Sequence, residues 1–167
     1  MADPLILQAR PLTAAAFAPY GDVLETQGHS SEAMNQGWAE RFRDIADIDV
    51  ADQNGRVSIS WVHSRADTAP VGLRLLERHP LGSQIFMPLN GHRFLVVVGP
   101  SGELPGRERL EAFVSNGRQG VNYRKGVWHH PMIALDAASD FIVIDRGGPG
   151  HNCDERSIPG GEVEVRL

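Results

Sequence analysis

Apolar and polar residues alternate along much of this chain with a period of two, the spacing of strands with one buried face. From Arg56 to Ser64, Val57, Ile59, Trp61 and His63 alternate with Ser58, Ser60 and Val62, which predicts a half-buried strand. Pro4 to Arg10 and Val23 to Thr26 predict two short strands before it. Leu73 to Arg78 and Ser83 to Leu89 predict two after it, and the second runs into Asn90-Gly91, a strong hairpin signal. Phe94 to Val98 is a run of aromatic and β-branched residues, and Leu110 to Ser115 ends at a second Asn-Gly pair, Asn116-Gly117. The stretch Gly120 to Trp128 is mixed. Met132 to Leu135, Asp140 to Asp145 and Val163 to Leu167 predict the closing strands. Thr13 to Phe17 can form a helical turn with Thr13 as its N-cap. Gly28 to Gly37 reads as a polar loop, and the Gly- and Pro-rich stretch Arg146 to Gly161 as an ordered loop or tail.

About ten short strands punctuated by turns, with little helix, point to an all-β sandwich or barrel; a βαβ sheet would need interleaved helical patterns. The length of 167 residues predicts one domain spanning residues 1–167, with no linker and no repeat of fixed period. A chain of this size buries a core without disulfide or metal staples. Hydrophobic residues make up 41% and charged residues 22%, ordinary values for a folded soluble protein.

Charge narrows the partners. The net charge is −5 and no window concentrates Lys and Arg, so a duplex nucleic acid, which needs a phosphate-neutralising face, is not expected. Met1 to Arg10 lacks a cationic start followed by a long apolar run, and the longest apolar runs are too short to cross a bilayer. The single cysteine, Cys153, cannot form an internal disulfide, which fits a reducing compartment. The expected location is therefore the cytoplasm, away from membranes. Cys153 has only His151 as a close basic neighbour and is a weak candidate nucleophile.

Chemistry-bearing residues concentrate in two stretches. The first is Glu77-Arg78-His79-Pro80-Leu81-Gly82-Ser83-Gln84, followed by Asn90-Gly91. Strand alternation points Glu77 and His79 to one face and Arg78 to the other, and Gln84 returns on the next strand toward the same space. The second runs from Ser115 to Pro131 and holds Arg118, Asn122, Tyr123, Lys125, Trp128, His129 and His130. Adjacent His129 and His130 face opposite sides of a strand, so one of them at most looks into a given cavity. Tyr123 and Trp128 read as core or wall. Trp61 and His63 line either the barrel or a dimer face.

These stretches carry a resemblance. Glu77-x-His79-x4-Gln84-x6-Gly91 has the spacing of the first cupin motif, with Glu77 in place of its first His and Gln84 in place of its Glu. Gly126-x2-His129 is similar to the end of the second cupin motif. Over longer segments, Leu76 to Gln84, Ser115 to Tyr123, Val127 to Pro131 and Asp145 to Gly148 resemble the ureidoglycolate lyase family, as do Tyr20 to Val23 and Asn152 to Asp154. The resemblance spans almost the whole chain. It implies a homodimeric, jelly-roll-like cupin β-barrel with few short helices, acting on a small carboxylate substrate. The implied reaction splits ureidoglycolate into urea and glyoxylate in allantoin breakdown.

Ureidoglycolate carries a carboxylate, a hydroxyl and a ureido group on one carbon, so its cleavage needs a base, an acid and a cation. His79 and His129 suit either proton role near neutrality. Glu77 orients an imidazole or acts as the base. Arg118 or Lys125 clamps the carboxylate, Gln84 and Asn122 hydrogen-bond the ureido group, and Arg146 either contacts substrate or belongs to a tight turn. Glu77, His79, Gln84 and His129 also form a plausible ligand set for a divalent transition metal such as nickel; the alternative is a site that works with no metal. Other readings of the same residues are a metal-dependent oxygenase or isomerase, a non-catalytic module that binds a small acid, and a hydrolase releasing ammonia and carbon dioxide in place of urea.

Overall fold

The computed structural model describes residues 3–167; Met1 and Ala2, with which the expected domain begins, lie outside them. In chain order the strands are β1 (Leu5–Gln8), β2 (Arg10–Pro11), β3 (Gly21–Leu24), β4 (Ser31–Met34), β5 (Ala39–Phe42) and β6 (Arg56–Ser64). Then come β7 (Val71–Leu73), β8 (Leu75–Arg78), β9 (Gln84–Pro88), β10 (Phe94–Gly99), β11 (Glu111–Val114) and β12 (Gly120–Tyr123). The last are β13 (Trp128–His129), β14 (Ile133–Ala134), β15 (Ser139–Gly147), β16 (Asp154–Ser157) and β17 (Val163–Arg166). One α-helix, α1 (Ala14–Phe17), begins at Thr13, whose hydroxyl accepts the Ala16 N–H at 3.2 Å as an N-cap should.

The run in β10 organises the fold because it is buried on both faces. Phe94, Val96 and Val98 point into one core with Phe17, Phe86, Phe113, Val121, Tyr123, Phe141 and Val143. Leu95 and Val97 point the other way, into a second core with Val71, Leu73, Leu76, Trp128, Val163 and Val165. A strand with apolar groups on both faces reads as a continuous hydrophobic run, which is why Phe94 to Val98 shows no alternation. Two main sheets enclose the first core. One has the order β16-β8-β13-β10-β11-β2, with β14 also on β10, and the other the order β3-β12-β9-β15-β6. The second core lies between the first of these and a small sheet, β1-β17-β7. The all-β, barrel-like architecture expected from the pattern is the one observed, with α1 its one short α-helix among the described residues.

Several local expectations are corrected. Neither Asn-Gly pair makes a hairpin. β9 pairs with β12 and β15, whereas β10 pairs with β11, β13 and β14, so Asn90-Gly91 carries the chain from one sheet to the other. Asn116-Gly117 makes the return crossing from β11 to β12. The two turns pack together: a Cβ on Gly117, whose φ is 87°, would lie 2.3 Å from the Gly91 carbonyl oxygen. Leu73 to Arg78 is two strands, because the chain leaves the small sheet at Arg74 and joins β16 and β13. Gly28 to Gly37 is not all loop, since β4 and β5 form a hairpin around Asn35 to Gly37. That hairpin is exposed on most of both faces, so no apolar alternation betrays it. The Gly- and Pro-rich stretch after Arg146 contains β16, which pairs along β8 and so borders the strand that carries Glu77.

Candidate active site

Alternation along β8 and β13 builds the site. Leu76 enters the second core and Glu77 turns inward; Trp128 enters the second core and His129 turns inward. The register pairs His129 directly with Glu77. Arg78 faces away, bonded to Asp154 at 2.7 Å with its guanidinium over the Trp128 ring at 4.7 Å. His79 follows on the Glu77 face, and its ring centroid is 5.3 Å from that of His129. From the opposite sheet, Tyr123 stacks flat on His129, 4.1 Å between centroids and 8° between planes. Gln84 stands beside Tyr123 in register.

Backbone carbonyls fix the orientation of both imidazoles. His79 Nδ1 donates to the Asn152 carbonyl at 2.7 Å, and His129 Nδ1 donates to the Val127 carbonyl at 3.0 Å. Each ring then presents Nε2 as a lone pair in its neutral form. His129 Nε2 is 3.3 Å and His79 Nε2 is 4.0 Å from Glu77 Oε1. The contributing atoms of these three residues all lie within 4.8 Å of one another. Three acceptors converging in a buried space require a cation between them, either a proton or a metal.

The site is notable for what it leaves unpartnered. Among the described residues, five buried side-chain polar atoms have no hydrogen-bond partner: His79 Nε2, Gln84 Oε1, Asn122 Oδ1, Tyr123 Oη and His129 Nε2. Each such atom costs about 1–3 kcal/mol when nothing satisfies it. Four of the five belong to the residues just described. Burial, and then the charge of His129, pull the His79 pKa below its ordinary value. Burial by itself would raise the Glu77 carboxyl, but the approach of His129, with the charges of His79 and His130, outweighs burial and holds it below the usual carboxylate range. Burial pushes the Tyr123 phenol well up, and the Glu77 charge adds to it.

The remaining predicted residues differ in how near they come and in what holds them. Gln84 is close, with Nε2 donating to Asp145 at 3.3 Å and Oε1 free. Asn122, neighbour of Tyr123 on β12, faces the opposite side of the sheet, where its amide donates to Asp22 and to the Asp47 carbonyl. Period-2 alternation requires this: with Tyr123 inside, Asn122 is outside. Arg118 lies in the turn before β12, five residues ahead of Tyr123. It is exposed and lines a separate cavity with Leu24 and Met87. Lys125 sits near the site, since Gly126 donates to the His79 carbonyl, but its ammonium is held by Asp52 at 2.8 Å and Asp49 at 3.0 Å. Arg146 is 7% exposed and spends its guanidinium on the carbonyls of Asp52, Gln53 and Pro149. Gly55 and Gly82 leave room for it, since a Cβ on either would lie within 2.6 Å of its side chain. His130 is off the site, with Nδ1 on the Pro131 carbonyl. Cys153 is exposed on the whole, and the partial desolvation of its thiol, with the charges of Glu77, Glu155 and Asp154, raises its pKa, the wrong direction for a nucleophile.

Sequence reasoning missed one contributor. Asn152 fixes the His79 ring through its carbonyl and caps Leu81 N–H through Oδ1 at 2.8 Å. No residue-type signal marks a backbone acceptor. Tyr123 was legible, because Val121 and Tyr123 share the inward parity of β12 that excludes Asn122.

The sequence model of the ureidoglycolate lyase family matches residues 4–166. A ureidoglycolate lyase of Burkholderia mallei is 53% identical over 153 residues, 92% of this chain and 89% of that protein. One from Pseudomonas syringae pv. syringae is 51% identical over 155 residues, 93% of this chain and 91% of its own. One from Azotobacter vinelandii is 49% identical over 162 residues, 97% and 96% of the two chains. Among solved structures, the RmlC epimerase of Mycobacterium tuberculosis superposes with a TM-score of 0.47 at 17% identity, over 79% of this chain and 66% of that one. The chain belongs to the ureidoglycolate lyase family.

Proposed function

We propose that this chain cleaves ureidoglycolate to glyoxylate and urea, a carbon–nitrogen lyase reaction of allantoin breakdown. Family membership over residues 4–166 supports the substrate. The observation that carries the chemistry is the convergence of Glu77, His79 and His129 in the barrel interior, both Nε2 atoms unpartnered.

The proton economy follows from atoms already placed. Cleavage removes the hydroxyl proton, converts that C–O bond to C=O, and leaves the C–N electron pair on the urea nitrogen, which takes a proton. His79 Nε2, a lone pair fixed by the Asn152 contact, accepts the hydroxyl proton. The proton held between His129 Nε2 and Glu77 Oε1 goes to the departing nitrogen. One proton leaves and one arrives, and transfer within the cluster restores the starting state. Asp145, through Gln84, orients a neutral amide at the edge of this space for the ureido group.

The same atoms fit a divalent transition metal. Glu77, His79 and His129 would hold it, Gln84 Oε1 is free to join, and the two Nδ1–carbonyl bonds are the outer contacts that metal-binding histidines use. Bound there, a metal supplies Lewis acidity toward the substrate oxygens. Stoichiometric metal that a chelator removes together with activity assigns the cluster to the metal; full activity in metal-free protein assigns it to the shared proton.

Incubation with ureidoglycolate, with urea, ammonia and glyoxylate measured together, tests the reaction. Equal urea and glyoxylate without ammonia is the expected result. Ammonia in place of urea identifies the hydrolase, and binding without turnover identifies a small-acid-binding module.

Three further readings belong to this proposal. The described residues work as one domain, since both main sheets share the first core. The protein is a homodimer: β6 is an edge strand whose Ile59 (68% exposed) and Trp61 (65%) form an apolar strip beside Ile142 and Ile144, and a second copy would cover it. Light scattering on the wild type and on Trp61→Glu checks this. The free thiol of Cys153 supports a cytoplasmic location. Among the described residues no helix is long and apolar enough to cross a membrane.

A further inference from the structure

The unpartnered atoms of the interior are not equivalent. His79 Nε2 and His129 Nε2 are acceptors that the proton or the metal satisfies, and Gln84 Oε1 is an acceptor beside them. Tyr123 Oη is the one hydroxyl among the unpartnered buried atoms, and neither the proton transfers nor the ligand set uses it. The side chain is 1% exposed and its ring lies flat on His129. A buried hydroxyl without a partner is costly, and proteins keep such a group where a ligand or water completes it.

The substrate brings what this hydroxyl lacks. Around the Tyr123 ring stand Glu77, two imidazoles and Gln84, with Asp145 behind, and none of these is a fixed cation for the substrate's carboxylate. Of the two cations expected to receive it, Lys125 is committed to Asp49 and Asp52 and Arg118 is exposed at a separate cavity; Arg146, the other candidate contact, is committed to backbone carbonyls. Tyrosine is a neutral donor throughout the physiological range. The cavity near Arg10 and Arg93, about 500 Å³, offers no competing site for the anion. There Arg10 is paired with Glu111 and Arg93 with Asp136.

We propose that Tyr123 is a substrate-binding residue whose hydroxyl donates a hydrogen bond to the carboxylate of the bound ureidoglycolate. The inference rests on the lyase reading above and adds one contact to it. No bond is made or broken by Tyr123; it holds the anion beside the His79–His129 pair.

The variant Tyr123→Phe keeps the ring and its stack and removes only the hydroxyl. KM for ureidoglycolate should rise about 10- to 100-fold, the range for a hydrogen bond to a charged group, with a smaller change in kcat. Inhibition by glyoxylate, which retains the carboxylate, should weaken by the same factor. The thermal midpoint should stay level or rise, because no protein hydrogen bond is lost. A KM within about twofold of wild type overturns the proposal. So does a kcat loss at constant KM, or a KM rise without weaker glyoxylate inhibition, which places the contact at another part of the substrate. A lowered thermal midpoint also overturns it, by showing a structural partner for the hydroxyl. Wild-type protein that forms no urea and glyoxylate removes the lyase reading and this contact with it, whereas active wild type with an indifferent Tyr123→Phe removes the contact alone.

Discussion

Two charged clusters lie at the same end of the barrel and differ in one respect. In the rim cluster every ionic group has its partner: Lys125 bridges Asp49 and Asp52, and Arg146 grips three carbonyls. In the interior cluster, Glu77, His79 and His129 converge with both Nε2 atoms unsatisfied. Both clusters are rich in the residue types of catalysis, so composition does not separate them. Satisfaction does. A charge that is fully hydrogen-bonded within the protein has no capacity left for a substrate, whereas a buried acceptor left open is complete only when something binds. The rim cluster ties the segment around Asp49 to Gln53 onto the Ser83 turn and the Pro149 loop, and that is sufficient reason for its charges.

The largest expected effect tests the interior half of the comparison. His129→Ala and His79→Ala should each lower kcat/KM by about 100-fold or more, the usual range for a proton-transferring group. Circular dichroism should remain that of the folded protein. Wild-type rates in both variants would dissolve the distinction between the clusters.

Arg146→Met tests the rim. It removes the grip on the carbonyls of Asp52, Gln53 and Pro149 from a buried position. Stability should fall by about 3 kcal/mol, or roughly 6–12 °C in Tm for a chain of this size. Calorimetry reads the shift, and KM measured well below the new midpoint should hold. A tenfold KM rise with unchanged Tm would return Arg146 to the substrate.

Lys125→Ala should do much less. Its pairs are partly exposed, and such pairs contribute at most about 1 kcal/mol. KM should change by less than about twofold, as steady-state kinetics will show. A large KM increase would mean that the ammonium leaves Asp49 and Asp52 to meet the carboxylate.

The smallest effect concerns a satisfied group that belongs to neither cluster. Tyr20 donates to Glu111 at 3.0 Å, and burial, then the Glu111 bond and charge, push its phenol up to about 12. The folded protein keeps this proton where the unfolded chain releases it. The contribution is therefore fully present below pH about 10 and is lost as pH rises from there toward 12. Denaturant midpoints between pH 9 and 11 should fall less steeply in Tyr20→Phe than in wild type.

The amino-acid sequence by itself determined the strand content, the inward parity of Glu77 and His79, and the split of His129 from His130. These follow from local alternation, a property each segment carries alone. It also marked the stretches that hold the interior cluster through motif spacing. It did not reveal that Asn90-Gly91 and Asn116-Gly117 cross between sheets, because an Asn-Gly turn has the same local geometry whether its flanking strands pair or part. The exposed hairpin β4–β5 escaped because neither of its faces buries an apolar stripe. The fates of Arg118, Lys125, Arg146 and Asn122 were beyond any local pattern, since a side chain's availability depends on which distant groups occupy its hydrogen bonds. Only the closed barrel, by bringing Asp49, Asp52, Asn152 and Val127 to their partners, decided which polar groups were spent and which were left open.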